Sequence, residues 1–341
     1  MPPESPVLTP RVLITGVGGP SGVCLLRALA ERPVTLLAGD IDPYAAGLYL
    51  VEPSRRVILP RGEDERFAEM LLAWCEREAV DVVVPTVDSE LIPLATHRAR
   101  FEGAGVRLVL APHGTLDVCL DKWALHARCN GKVRTPDTVL VDEAFHPASA
   151  PLPAIVKPRV GSGSRGIHRV EGIKEFERLE RDGSLLVQEL LPGAEYSLDV
   201  LATREGRVIA VVPRERLKVD SGIAVTGRTC HDERLQRIGR EVAELIGLTG
   251  VANVQVKGDT HGNPALLEVN PRFPGTMALT VASGPDMPWL CVAEALGEAM
   301  PKQALPFADI AMVRFFQERF LSFDEITRLQ RDALEPEPVS P

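Results

Sequence analysis

The sequence predicts an α/β protein whose N-terminal doubly wound parallel sheet is followed by two α+β lobes. Three observations carry this expectation: short apolar strands alternating with amphipathic helices as far as residue 112, a change of rhythm near residue 115, and a polar-faced hairpin between residues 251 and 270. A chain of 341 residues exceeds one ordinary domain, so two or three compact units are expected. Aromatic residues are few, and apolar runs are short and broken by Pro, Gly or charge, which excludes a membrane-spanning helix. The first ten residues lack the basic start and apolar stretch of an export signal, and a cytoplasmic protein is expected. The net charge is −9, and no Lys/Arg stripe is interleaved with aromatics, so nucleic acid is not an expected partner. Six cysteines are scattered without C-x-x-C spacing and read as reduced, structural thiols.

The first unit, residues 1–112, opens with an apolar strand at 11–15, a glycine turn at 16–22 and a helix at 21–31 with Val23, Leu26, Leu29 and Ala30 on one face. Strands follow at 34–39, 56–59, 81–84 and 107–110, with helices at 63–78 and after Asp88, which reads as a helix cap. The second unit, 113–190, starts with one helix over 115–129. Strands at 137–141 and 153–157, a Gly/Ser segment at 161–166, and strands near 167–170 and 185–190 complete it. The third, 191–330, holds strands near 196–203 and 207–213, a Gly-containing loop at 218–226, a helix at 232–246 and the final hairpin. Residues 331–341 read as a Pro/Glu-rich disordered tail.

The hairpin carries the clearest chemistry. Side chains alternate along a strand, so Glu268 and Asn270 share one face. If Lys257 pairs with Pro264, Asn253 stands opposite Glu268, and Gln255 falls diagonally between Glu268 and Asn270. A carboxylate with carboxamides on an otherwise apolar strand is costly to bury unless something satisfies it. Mg²⁺ suits this set, because it takes hard oxygen ligands and is commonly shared between one or two carboxylates and substrate phosphates.

Lys157 ends an apolar strand and is followed by Gly161, Ser162, Gly163, Ser164 and Gly166, whose glycines would let backbone N–H groups approach an anion. Gln188, Glu189, Leu190 and Leu191 leave another strand, where main-chain groups can meet an adenine edge, with Glu195 placed to accept from a ribose. Lys122 lies in a helical segment, and Arg214 is expected on the substrate side, with a surface salt bridge as the alternative. Glu90 is a further candidate contact for an amine.

In order and spacing these groups resemble the ATP-grasp superfamily, above all the branch of the carbamoyl-phosphate-synthase large subunit and related carboxylate–amine ligases, over roughly residues 11 to 315. The resemblance implies an ATP-grasp fold in which Lys122 and Lys157 bind nucleotide and residues 161–166 form the phosphate lid. It implies that residues 189–191 hold adenine and Glu195 the ribose, although Glu189 and Glu195 stand one residue closer than in some members. It implies Gln255, Glu268 and Asn270 as ligands of Mg²⁺, with Mn²⁺ as a substitute, and Arg272 beside the transferred phosphoryl group. The implied activity is an ADP-forming ligase acting through an acyl phosphate on small carboxylate and amine substrates, with a homodimer compatible.

Alternatives are a thiol, ammonia or bicarbonate as a reactant, a nucleotide-binding protein without turnover, and a dinucleotide-binding oxidoreductase. The last would use Gly16, Gly18, Gly22 and Asp40, but the glycine spacing is irregular and the C-terminal polar hairpin would go unexplained.

Overall fold

The computed structural model describes residues 9–161, 163 and 165–334. Five parallel strands, β1 (Arg11–Thr15), β2 (Thr35–Asp40), β3 (Arg56–Ile58), β4 (Val82–Val84) and β5 (Arg107–Leu108), form one sheet in the order β3-β2-β1-β4-β5. Alternation along β1 sends Val12 and Ile14 into one core and Leu13 into another. Covered faces on both sides explain why these strands read as continuous apolar runs. Helix α1 (Pro20–Leu29) packs in the first core, and α2 (Phe67–Arg77), α3 (Asp88–Thr96) and α4 (Arg98–Gly103) contribute Phe67, Leu91 and Phe101 to the second. The first core also takes in Phe273, Met277 and Met287, so the parallel sheet and the C-terminal part of the chain are packed as one apolar body.

The segment expected as one helix is two. Helix α5 (His113–Leu120) stops at Asp121, whose carboxylate caps α6 (Lys122–Cys129) through the amides of Trp123 and Ala124 and pairs with Arg159 at 2.6 Å. A four-stranded antiparallel sheet follows, made of β6 (Thr138–Val141), β7 (Ala154–Pro158), β8 (His168–Val170) and β9 (Leu185–Glu189), in the order β6-β9-β7-β8. Its core is small, with Phe145 meeting Phe176 of α7 (Ile173–Phe176) edge to face.

The largest sheet has six strands in the order β14-β13-β10-β11-β12-β15: β10 (Glu195–Ala202), β11 (Val208–Asp220), β12 (Ile223–Thr229), β13 (Gly250–Gly258), β14 (Pro264–Asn270) and β15 (Ala311–Val313). Helix α8 (Glu233–Ile246) lies on β10 and β11, and Gly239 permits the approach, since a Cβ there would sit 2.6 Å from Val211 Cγ1. Helices α9 (Met277–Ser283), α10 (Met287–Ala295) and α11 (Phe323–Leu334) complete the chain.

Two expectations are corrected here. The loop expected at 218–226 is a long β11–β12 hairpin turning at Ser221 and Gly222, both at positive φ. Its strands alternate charged with apolar residues, which hides them from an apolar-run reading. The tail expected from residue 331 begins with helix, because α11 continues to Leu334. Residues 335–341 lie outside the described residues.

Candidate active site

The metal-type face forms where β13 pairs with β14. The observed register sets Gln255 opposite Glu268 and Asn253 opposite Asn270, and Gly258, not Lys257, faces Pro264. A bulge beyond Gln255 and a turn closed by Asp259 account for the difference. Asp259 Oδ1 accepts from the amides of His261 and Asn263, which tightens the loop by one pair, and the extra residue is absorbed at Leu267. Glu268 and Asn270 are adjacent, with Asn270 Nδ2 3.2 Å from Glu268 Oε1. Asn253 instead turns to Asp199, its Nδ2 donating to Oδ1 at 2.9 Å.

Among the described residues no group of three or more His, Cys, Asp or Glu side chains could hold a metal. One carboxylate flanked by amide oxygens suits a Mg²⁺ that draws its remaining ligands from phosphates and water better than a closed protein cage.

Lys157, at the end of β7, is buried and donates to Gln188 Oε1 at 2.8 Å. Burial pushes its amine down to about 8; the Glu268 charge offsets part of that and the Lys122 charge adds to it. Glu268 and Lys122 thus lie within electrostatic reach of Lys157 although the three come from separate segments. Lys122 Nζ donates to Gly161 O at 2.6 Å, tying α6 to the glycine loop, where Gly161, Gly163 and Gly166 all have positive φ. Ser162 and Ser164 lie outside the described residues.

At the exit of β9, Gln188 and Glu189 are both engaged: Gln188 Nε2 donates to Thr138 Oγ1, and Glu189 Oε2 accepts from the Asp137 amide. The Leu190 amide donates to Pro153 O. Among the described residues the Leu190 carbonyl and the Leu191 amide have no backbone partner. Sequence reasoning missed what holds Glu195. Its carboxylate is 2.6 Å from Arg216 Nη1, which also reaches Gln255 Oε1 at 3.3 Å, while Arg216 Nη2 donates to Gly222 O at 2.8 Å. Arg216 thereby joins the expected ribose carboxylate, the metal strand and the β11–β12 turn. Arg216 Nε is buried without a partner.

Arg214 is corrected outright. It is fully buried, in a two-point pair with Asp199 at 2.9 and 2.5 Å, and also donates to Thr276. Asp199 further accepts from Thr280 Oγ1 and Asn253. In this arrangement Arg214 is not available to a substrate; it ties β10 and β11 to the loop before α9. Asp199→Ala would leave a buried guanidinium uncompensated and is expected to cost about 3–5 kcal/mol in unfolding experiments. The double variant Asp199→Leu/Arg214→Leu should lose less than the single one, and equal losses would contradict the pairing.

The N-terminal sheet contributes at its strand ends. Arg272 forms a two-point pair with Asp88, at 2.6 and 2.9 Å. Asp88 is the first residue of α3 and makes no capping bond, so its expected cap role gives way to this bridge. Glu90 is buried and accepts from Thr15 Oγ1; burial pushes its carboxyl up to about 7, with Thr15 opposing and Asp40 reinforcing the rise. The glycine turn is filled by its own chain. Asp40 accepts from the Gly18 and Asp42 amides, and a Cβ on Gly18 would meet Ala45 Cβ at 3.0 Å. The turn also docks on the C-terminal lobe, where Ser21 Oγ donates to Phe273 O and a Cβ on Gly275 would meet Pro20 Cγ at 3.0 Å. Asp40 is thereby committed to the turn.

Residues 181–318 match the family model described as ATP-grasp in the biosynthetic pathway with Ter operon, and residues 12–109 match the PylC-like N-terminal domain. Residues 181–318 thus carry an ATP-grasp match, and the parallel sheet and two antiparallel sheets are the ATP-grasp fold. Among the chain's relatives are D-alanine–D-alanine ligases. The one from Thermotoga sp. (strain RQ2) is 30% identical over 146 residues, covering 41% of this chain and 48% of that protein. The one from Nitrosococcus oceani is 29% identical over 272 residues, 73% of this chain and 77% of that protein. The chain thus spans about half the length of the Thermotoga relative. Among solved structures, the biotin carboxylase domain dimer of Hydrogenobacter thermophilus 2-oxoglutarate carboxylase, in complex with MgADP, ADP and bicarbonate, superimposes with a TM-score of 0.72. It is 16% identical over 87% of this chain and 72% of that one.

Proposed function

We propose that this chain is an ATP-dependent, ADP-forming carboxylate–amine ligase that works through an acyl phosphate on an amino acid, small peptide or related metabolite. The reading rests most directly on the hairpin that sets Gln255 opposite Glu268 and Asn270 beside it, within electrostatic reach of the buried Lys157. In this reading Mg²⁺, or Mn²⁺ in its place, is held by Glu268, Asn270 and Gln255, and when bound it neutralises phosphate charge. Lys157 and Lys122 take the nucleotide phosphates with the glycine loop, Leu190 and Leu191 take the base, and Glu195, whose Oε1 is held by Arg216, accepts from the ribose with its remaining lone pairs.

Arg272, preset by Asp88, faces the charge that develops as a substrate carboxylate oxygen attacks the γ-phosphorus and the bond to the ADP oxygen breaks. The amine then attacks the acyl carbon, phosphate leaves, and the amine proton must pass to a base. Glu90, with its carboxyl near neutrality and behind Asp88 on the same helix turn, is the proposed amine-side residue. No helix in the described residues is long and apolar enough to cross a membrane, and a cytoplasmic setting is part of the proposal.

The test is incubation with Mg-ATP and pools of amino acids and small carboxylates, reading ADP, phosphate and new product masses together. Equimolar ADP, phosphate and a condensed product are expected. AMP with pyrophosphate, or no turnover with any pool, would contradict the assignment.

A further inference from the structure

Alternation along the six-stranded sheet gathers polar side chains on one face. Arg214, Ser197, Gln255 and Glu268 form one row across β11, β10, β13 and β14, and Asp199, Asn253 and Asn270 form the row beside it. The intervening Leu198, Val200, Val254 and Val256 point the other way, into the core that α8 covers. Glu195 lies two residues before Ser197 and Arg216 two residues after Arg214, so both belong to the polar face.

The two arginines of that face keep different company. Arg214 gives its donors to Asp199 and Thr276, neither of which is expected to meet the nucleotide. Arg216 reaches only the nucleotide side and the turn above it: Nη1 is 2.6 Å from Glu195 Oε1 and 3.3 Å from Gln255 Oε1, and Nη2 donates to Gly222 O at 2.8 Å. The β11–β12 register shifts just after Arg216, and a bulge of this kind re-aims the side chain beside it.

A planar fork of N–H donors can serve acceptors from three segments in one fixed geometry, which a lysine ammonium on its flexible stem does not do. Here the fork leaves Nε buried without a partner, so its orientation serves Glu195, Gln255 and Gly222 and not the satisfaction of its own donors. The Arg216 side chain is 8% exposed and that of Glu195 30%, which makes the carboxylate the member of the pair that faces outward. Glu195 Oε2 has no hydrogen-bond partner among the described residues.

We propose that Arg216 is a positioning residue that sets the protein's preference for a full ribose. By holding Oε1 of Glu195 it presents Oε2 to a sugar hydroxyl in one direction, and by reaching Gln255 it keeps that contact in step with the strand expected to hold the metal. This inference rests on the ribose role proposed for Glu195. Without the clamp the carboxylate swings between rotamers and stands as an uncompensated charge near a triphosphate, so both affinity and sugar preference fall.

Isothermal titration of the full chain with ATP, 2′-deoxyATP and 3′-deoxyATP, each with Mg²⁺, tests it. The unaltered protein is expected to bind ATP roughly 10–100-fold more tightly than at least one deoxy analogue, as a hydrogen bond to a charged acceptor implies. Arg216→Met should weaken ATP binding and cut that preference to about threefold or less. Arg216→Lys keeps the charge but not the fork, and its preference should also fall, to an intermediate value, even where methionine unfolds the chain. In a Glu195→Ala background, adding Arg216→Met should change ATP affinity by less than about twofold, because the group it positions is gone. Equal weakening toward all three nucleotides, the result of a merely structural arginine, overturns the proposal. So does an unaltered protein that binds the three alike. ATP still binds in both cases, which leaves the ligase reading standing; a chain that binds no ATP ends both.

Discussion

Replacing Glu268 with Ala is expected to lower kcat for ATP turnover by about 10²–10³, roughly 3–4 kcal/mol of transition-state stabilisation. Glu268 is the sole carboxylate on the β13–β14 face that also carries Gln255 and Asn270, and the two carboxamides cannot substitute for its charge. Folding should hardly change, because the partner lost inside the protein is the Asn270 amide and the site is half-exposed. Steady-state ADP release read alongside thermal unfolding separates the two effects. Near-complete turnover in the variant would remove the metal assignment.

Lys157→Met is expected to weaken ATP binding by about 10²-fold, close to 3 kcal/mol, without a matching loss of stability. The stability side follows from where the amine titrates. In the folded protein it titrates at about 8, below its ordinary value of 10.5, chiefly through burial, with Glu268 opposing and Lys122 reinforcing. Between those pH values the unfolded chain holds a proton that the folded chain does not, so the lysine's destabilising effect is complete below pH 8 and fades as pH rises toward 10.5. Methionine removes that penalty but leaves Gln188 Oε1 without its donor, a loss of about 1–3 kcal/mol. Near-unchanged or slightly raised stability at neutral pH is the net expectation. For the unaltered protein, ATP affinity should fall as pH rises from neutrality through 8, because only the protonated amine pairs with phosphate. Isothermal titration at several pH values reads both effects, and an affinity flat across that range would contradict a phosphate role for Lys157.

Much of the fold was legible because local patterns and tertiary demands agree. The apolar runs of β1 and β4 are buried on both faces, and the helical spacing of Leu235, Val242 and Ile246 puts all three in one core. The polar hairpin face was legible for a similar reason: alternation on β14 puts Glu268 and Asn270 together whatever the register. The register itself was not, since it depends on how Asp259 closes the turn and on a bulge that no residue type announces.

Long-range pairing hid the rest. Arg214 reads as a surface or substrate arginine until Asp199 and Thr276 enclose it, and Asp88 reads as a helix cap until Arg272, 184 residues away, comes to meet it. Arg216 stands out in sequence only as a neighbour of Arg214 with no role of its own, because its partners lie at Glu195 on β10, Gln255 on β13 and Gly222 at a turn expected as loop. The division at Asp121 was missed because the helical pattern runs through it, while the capping bonds and the Arg159 pair that break the helix are tertiary choices.

The central claim is that the Glu268 face and Lys157 transfer a phosphoryl group from ATP to a substrate carboxylate. It is tested most directly by supplying the carboxylate labelled with ¹⁸O and measuring the label in the phosphate released. The account predicts one ¹⁸O per phosphate, together with ADP, and a labelled-phosphate yield from the Glu268→Ala variant that falls in step with its turnover. Phosphate without ¹⁸O while product forms would contradict it.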